Sequence, residues 1–385
     1  MAPHIYTPDT YTTPPKLDES KYAAVSWPLY LWMSVKVMFL APVLATEALL
    51  SPFVARSKQK SLKRVIGDTA FRYLTDNLSG AEQQYFMGTS VGIYSSWARK
   101  ENLPIVIDEL EDGGKLLWIG PKRTEKVLLY CHGGAYIVPV QEFTIPFWRY
   151  IQLELEKQGI EVGIAIMSYF PRSSLASQPS NPTPPHNRKC QALESPTCRG
   201  LCRRQPRCPS PLFNASSTLL SPHHPPGIRL RGAYMMSPWI SMTGVGSQAE
   251  KGIVPSLNAN DHSDIISAKS LLSWGSIVLS GVQTPSDVMY IEPILAPADW
   301  YRGLSDVVDR VFVSTGGAEC LQDSGRMFFE DKIKPWHGQA EFFEIEGGVH
   351  NDPYFDFQVA DKPLGERQTL TPKILDWVKK GFEED

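Results

Sequence analysis

The sequence predicts a doubly wound α/β fold, with a mostly parallel sheet and a helical N-terminal portion, on three observations. Short apolar runs at 105–110, 116–119 and 127–130 read as successive strands, separated by the turn signals Asp112-Gly113-Gly114 and 121–124. A helix candidate at 147–157 then leads into VGIAIMSY at 162–169, a continuous apolar run of the kind buried on both faces of a parallel sheet. Strand, helix, strand at this spacing implies a right-handed crossover. With 385 residues, 42% hydrophobic and 21% charged, the chain is long and apolar enough for one large globular domain with an accessory piece. A formal charge of -3 gives no reason to expect a nucleic-acid partner.

Residues 1–23 are expected to form a flexible lead: Pro, Thr and Tyr dominate, and no apolar stretch follows a basic start, which argues against a cleaved signal peptide. Residues 24–100 are expected to form an N-terminal hydrophobic anchor or cap. From Trp27 to Leu44 the chain reads WPLYLWMSVKVMFLAPVL, about the length of a membrane span and interrupted by the single charge of Lys36. Arg56, Lys58, Lys60, Lys63 and Arg64 follow as a basic flank. Two readings stand. A single anchor would leave the rest of the chain cytosolic by the positive-inside rule, on the endoplasmic reticulum for instance. An amphipathic cap helix over a site mouth, bracketed by Pro28 and Pro42, would fit a cytoplasmic protein. Between residues 62 and 100, Val65, Ala70, Phe71 and Leu74 recur at helical spacing, as in two or three cap helices.

The α/β domain is expected over 101–385, and its first landmark is VLLYCHGGAY at 127–136. Four strand-favouring residues run directly into His132, Gly133 and Gly134. Without a Cβ, the two glycines can turn sharply and aim successive N–H groups at one spot, where they can hold the oxyanion of an acyl-transfer intermediate. His132 is expected to brace the turn by hydrogen bonding.

HGGAY after a strand, MMSPWI at 235–240, GGAECLQD at 316–323 and GGVHNDPY at 347–354 together resemble the hormone-sensitive-lipase-like branch of the α/β-hydrolase fold. Within that branch the chain is similar to fungal esterases akin to steryl acetyl hydrolases. The resemblance covers 110–385 apart from one interior segment. It implies Glu319 as the catalytic acid, at the family's G-x-x-(D/E)-x-L-x-D position after strand residues 311–313, with Asp323 as the alternative. It implies His350 as general base, after strand 341–345 and the Gly347-Gly348 turn, with acid before histidine in chain order. His132, Gly133 and Gly134 become the oxyanion turn.

The departure from the family falls where the chemistry should start. There is no G-x-S-x-G nucleophile elbow. Between Arg172 and Pro226 the chain is rich in Pro, Ser, Arg and Cys, with no helical or strand periodicity, a composition unfit for the middle of a sheet. Four of the six cysteines crowd into 190–208. Cys198, Cys202 and Cys208 with His223 and His224 match no common zinc knuckle, so neither metal nor other cofactor is expected.

A change of reading frame accounts for the segment. Arg199 to Arg207, RGLCRRQPR, can be encoded as CGG GGA CTC TGC CGG CGG CAA CCT CGC. Read one nucleotide later, this gives Gly-Asp-Ser-Ala-Gly-Gly-Asn-Leu and the start of an alanine codon. Each shifted codon begins with the middle base of the original, which the peptide fixes, and all nine agree. The missing serine then falls between Leu201 and Cys202. Residues 173–225 are accordingly read as out of frame and irregular, and the nucleophile-elbow region as disrupted. The function implied is a carboxylic-ester hydrolase by ancestry, a serine esterase or deacetylase whose small hydrophobic substrate is a small acyl ester of a hydrophobic alcohol such as a sterol or secondary metabolite, with a non-catalytic binding protein or pseudoenzyme of the same fold as the alternative.

Overall fold

A computed structural model describes residues 22–53, 60–110, 114–168, 212–214, 229–244, 255–280, 288–360 and 370–383. Eight strands form one sheet in the order β1-β2-β4-β3-β5-β6-β7-β8. They are β1 (Ile107–Glu109), β2 (Lys115–Ile119), β3 (Val127–Cys131), β4 (Gly163–Ser168), β5 (Leu212–Asn214), β6 (Gly232–Met236), β7 (Val311–Gly316) and β8 (Ala340–Ile345). β2 pairs antiparallel with β1 and β4, and every later pairing is parallel. This is the α/β-hydrolase fold, as the sequence predicts.

The alternation of side chains divides each strand between two cores. Leu117, Leu128, Tyr130, Ile164, Ile166, Tyr234 and Phe312 face one. Their neighbours Leu116, Leu129, Ala165, Met167, Ala233, Met235 and Val313 face the other. Both faces are therefore covered, which is why β3 and β4 read as unbroken apolar runs rather than as alternating ones.

Three helices form the cap predicted for 62–100: α3 (Leu62–Asn77), α4 (Gly80–Met87) and α5 (Ser90–Lys100). Each begins at a Ser or Thr whose side chain accepts a backbone N–H, and Ser79 with Glu82 completes a capping box. Ahead of them, α1 (Trp27–Met38) and α2 (Leu40–Leu50) are separated by Phe39 alone. Together they are long and apolar enough to cross a membrane. They also rest on the body. Lys36 pairs with the buried Glu82 at 2.9 Å, the Tyr73 hydroxyl donates to Lys36 O at 2.8 Å, and Met33 is buried.

Two expectations need correction. Arg64 is no part of a free basic flank: it is buried, with Nε on Asp68 (2.6 Å), Nη2 on Asp352 (2.7 Å) and Nη1 on Asp356 (2.8 Å). Lys60 likewise pairs with Asp68. The segment 173–225 is not wholly irregular, because Leu212–Asn214 forms β5 between β3 and β6. Without it those two strands would bury unpaired N–H and C=O groups, and three residues suffice to bridge the gap. The remainder of 173–225, including Leu201, Cys202, Cys198, Cys208, His223 and His224, lies outside the described residues, as do residues 1–21.

Candidate active site

Three strand ends converge on one point. β7 ends at Gly316, where an added Cβ would lie 2.3 Å from Gly348 O, so the acid loop can lie directly on the turn that precedes the histidine. Gly317 N–H donates to Ile345 O and Ala318 N–H to Gly348 O, each at 2.8 Å, joining the two loops. Glu319 and His350 therefore come together, with His350 Nδ1 3.6 Å from Glu319 Oε2. From the end of β6, Ser237 Oγ accepts the Asn351 N–H at 3.0 Å.

The Asn351 amide nitrogen lies 2.8 Å from His350 Nε2; with that nitrogen donating, the ring proton sits on Nδ1, on the side of the carboxylate. That is the tautomer a general base needs. Glu319 is fully buried. Burial raises its carboxyl above the usual range, Asp264 adds to the rise, and His350 and Ser237 oppose it. Asp323, the alternative acid, is turned instead to the Ser256 N–H at 2.7 Å.

The HGG turn closes the opposite wall. His132 is buried, with Nδ1 2.6 Å from Gly133 O and Nε2 3.4 Å from Ser90 Oγ, which itself accepts the Val140 N–H. Gly134 has φ +109°, and an added Cβ there would meet Val138 O at 2.7 Å. Ala135, Tyr136, Ser237 and Asn351 also have φ between 44° and 58°. Strained backbone gathers where the surrounding structure enforces a site, and all four residues line one cavity.

That cavity has a volume of about 270 Å³ and is lined by His132, Gly133, Gly134 and His350 together with apolar cap residues such as Phe71 and Leu74. It suits an apolar ligand carrying one polar group that can be placed between the turn and the imidazole. Among the described residues no cluster of His, Cys, Asp or Glu has the makings of a metal site.

The sequence reading missed Ser237, Asn351 and Asp264. The first two stand within the quoted motifs, and adjacency to His350 was a signal for Asn351. Asp264 carries no local signal. Its Oδ1 accepts the His350 N–H at 2.9 Å and its Oδ2 the Cys320 N–H at 2.7 Å, partners 86 and 56 residues away. No serine position is fixed here: β5 ends at Asn214, and 215–228 lie outside the described residues.

No family model and no curated protein matches the chain. Solved structures do. An esterase from the bacterial hormone-sensitive lipase family aligns with TM-score 0.58 at 16% identity, over 84% of this chain and 99% of that one. An esterase/lipase from an uncultured bacterium aligns at 0.55 and 14%, over 84% and 99%. A hormone-sensitive-lipase homologue from a metagenome library aligns at 0.53 and 14%, over 82% and 97%. At such identities the likeness establishes the fold.

Proposed function

We propose that this chain descends from a serine carboxylic-ester hydrolase and retains every part of the site except the nucleophile. One observation carries the reading: His350, with Nδ1 toward the buried Glu319, and the His132-Gly133-Gly134 turn line the same apolar cavity. In the parent enzyme a serine hydroxyl attacks the ester carbonyl while His350 takes its proton at Nε2. Glu319 stabilises the imidazolium that forms, and backbone N–H groups of the HGG turn with that of the residue after the serine hold the oxyanion. The proton then passes from Nε2 to the leaving alkoxide. Water repeats the cycle on the acyl-enzyme, releasing the acid and restoring the serine.

Cap residues Phe71 and Leu74 favour a hydrophobic alcohol, such as a sterol or secondary metabolite, joined to a small acyl group. The esterase structures that share the fold are consistent with this chemistry. In the chain as it stands, the segment that should hold the elbow is out of frame and supplies no nucleophilic serine, so hydrolysis is absent. The helices of 27–50 associate with a lipid surface, which would place the site near an apolar substrate.

Sequencing the transcript tests the reading. A messenger with Gly-Asp-Ser-Ala-Gly-Gly in frame supports it. A messenger that encodes RGLCRRQPR, from a chain that hydrolyses p-nitrophenyl acetate and is labelled by a fluorophosphonate, overturns it.

A further inference from the structure

Residues 255–267, which lead into the helix α6 (Ala268–Leu279), lie along the acid loop as a strap. Ser256 Oγ donates to Cys320 O at 2.9 Å, Asn260 Nδ2 donates to Glu319 O at 2.9 Å, and Ser263 Oγ donates to Ala318 O at 3.1 Å. These contacts hold the acid loop alone. Asp264 differs, because its two oxygens serve two loops: Oδ2 accepts the Cys320 N–H at 2.7 Å, while Oδ1 accepts the His350 N–H at 2.9 Å and the Ile265 N–H at 2.7 Å. Asp264 is buried, so these three N–H donors stand in for the water its carboxylate has lost.

We infer that Asp264 is a positioning residue, a single carboxylate that sets the spacing and the tautomer of the His350–Glu319 pair by tying the histidine's own backbone to the residue that follows the acid. The inference rests on the reading of that pair as base and acid. The two loops spring from different strands, β7 and β8, and errors in their relative placement fall directly on the 3.6 Å between Nδ1 and Oε2. Among the described residues, neither Glu319 oxygen has a hydrogen bond of normal length, so the carboxylate takes its place from its backbone, and Asp264 fixes that backbone one residue on.

The strap is in turn held by the cap. Arg72 of α3 donates to Asp264 O at 2.7 Å and to Asp261 O, and α3 lines the cavity through Phe71 and Leu74. The helix that meets the ligand is thus linked through Asp264 to the histidine.

The test uses the full chain labelled with 15N-histidine, observed at about pH 8, where an unperturbed imidazole is neutral. The His350 ring signals are identified by their loss in His350→Gln. The chain is expected to give separate protonated-Nδ1 and unprotonated-Nε2 signals. Asp264→Ala should merge them toward the average of two exchanging tautomers. Asp264→Asn, which keeps the shape but loses one accepting oxygen, should move them part of the way. Ser263→Ala, which removes a strap contact that does not touch His350, should leave them unchanged. If Asp264→Ala does not fold, Asp264→Asn decides.

Wild-type ring signals in a folded Asp264 variant would overturn the inference, as would equal merging in Ser263→Ala. Ester hydrolysis does not enter the readout, so failure of the esterase reading is recognised separately by the transcript and the turnover assay.

Discussion

Replacing Arg64 by methionine keeps most of the apolar stem and removes the guanidinium that joins α3 to the helix after His350, α7 (Asp352–Val359). The side chain is 4% exposed, and its partners Asp68, Asp352 and Asp356 are 11%, 16% and 2% exposed, so this is a buried network rather than a surface pair. Burial alone would weaken the guanidinium's hold on its proton. The charges of Asp352, Asp68 and Asp356 outweigh that and keep it firmly protonated. Removing the cation from such a network leaves carboxylates facing one another away from water, at a cost of about 3–5 kcal/mol. A domain of this kind has roughly 5–15 kcal/mol in all. With a urea slope of about 3 kcal/mol/M, the midpoint of unfolding should fall by about 1–1.7 M. Urea titration followed by tryptophan fluorescence reads this directly. A fall of less than about 0.3 M would correspond to the worth of an exposed pair and refute the assignment of Arg64 as the buried clamp between cap and histidine helix.

Two further outcomes follow from the same geometry. Burial raises the Glu319 carboxyl, so the native state holds that proton more tightly than the unfolded chain does. The stability this group contributes is present below the unfolded value of about 4.3 and is lost as pH rises through the raised native value. Glu319→Gln should therefore raise Tm at about pH 8 and leave it nearly unchanged at about pH 4, as scanning calorimetry would show; equal Tm values at both pH values would contradict the buried, ionisable site. On the outer surface, Trp27, Met38 and Leu49 are each more than 70% exposed. Trp27→Ser with Trp32→Ser should reduce co-sedimentation with anionic phospholipid vesicles several-fold, and unchanged binding would remove the lipid surface from the account.

What the sequence made legible were features built from neighbouring residues. The apolar run of β4, the strand-to-HGG switch, and the Gly-rich turns before Glu319 and His350 each compress structure and chemistry into a few positions. The buried polar framework was not legible. Arg64 sat in a basic run and looked like surface charge, because its partners Asp352 and Asp356 lie 288 and 292 residues away. Asp264 joins β-strand ends that meet only in the folded sheet. β5 escaped for a different reason: a three-residue strand is too short to display a period, and its place is set by the edges of β3 and β6 rather than by its own propensity.

The central claim is that this is an ester-hydrolase site lacking only its serine. The most direct test compares p-nitrophenyl acetate turnover by the chain as it stands with that of a chain in which 173–225 are replaced by the shifted reading. The account predicts no turnover above background for the first. It predicts enzymic turnover for the second, which His350→Ala and Glu319→Ala each reduce by roughly 10³–10⁴-fold or more. A restored chain that folds and remains inert, or one whose activity survives His350→Ala, would contradict it.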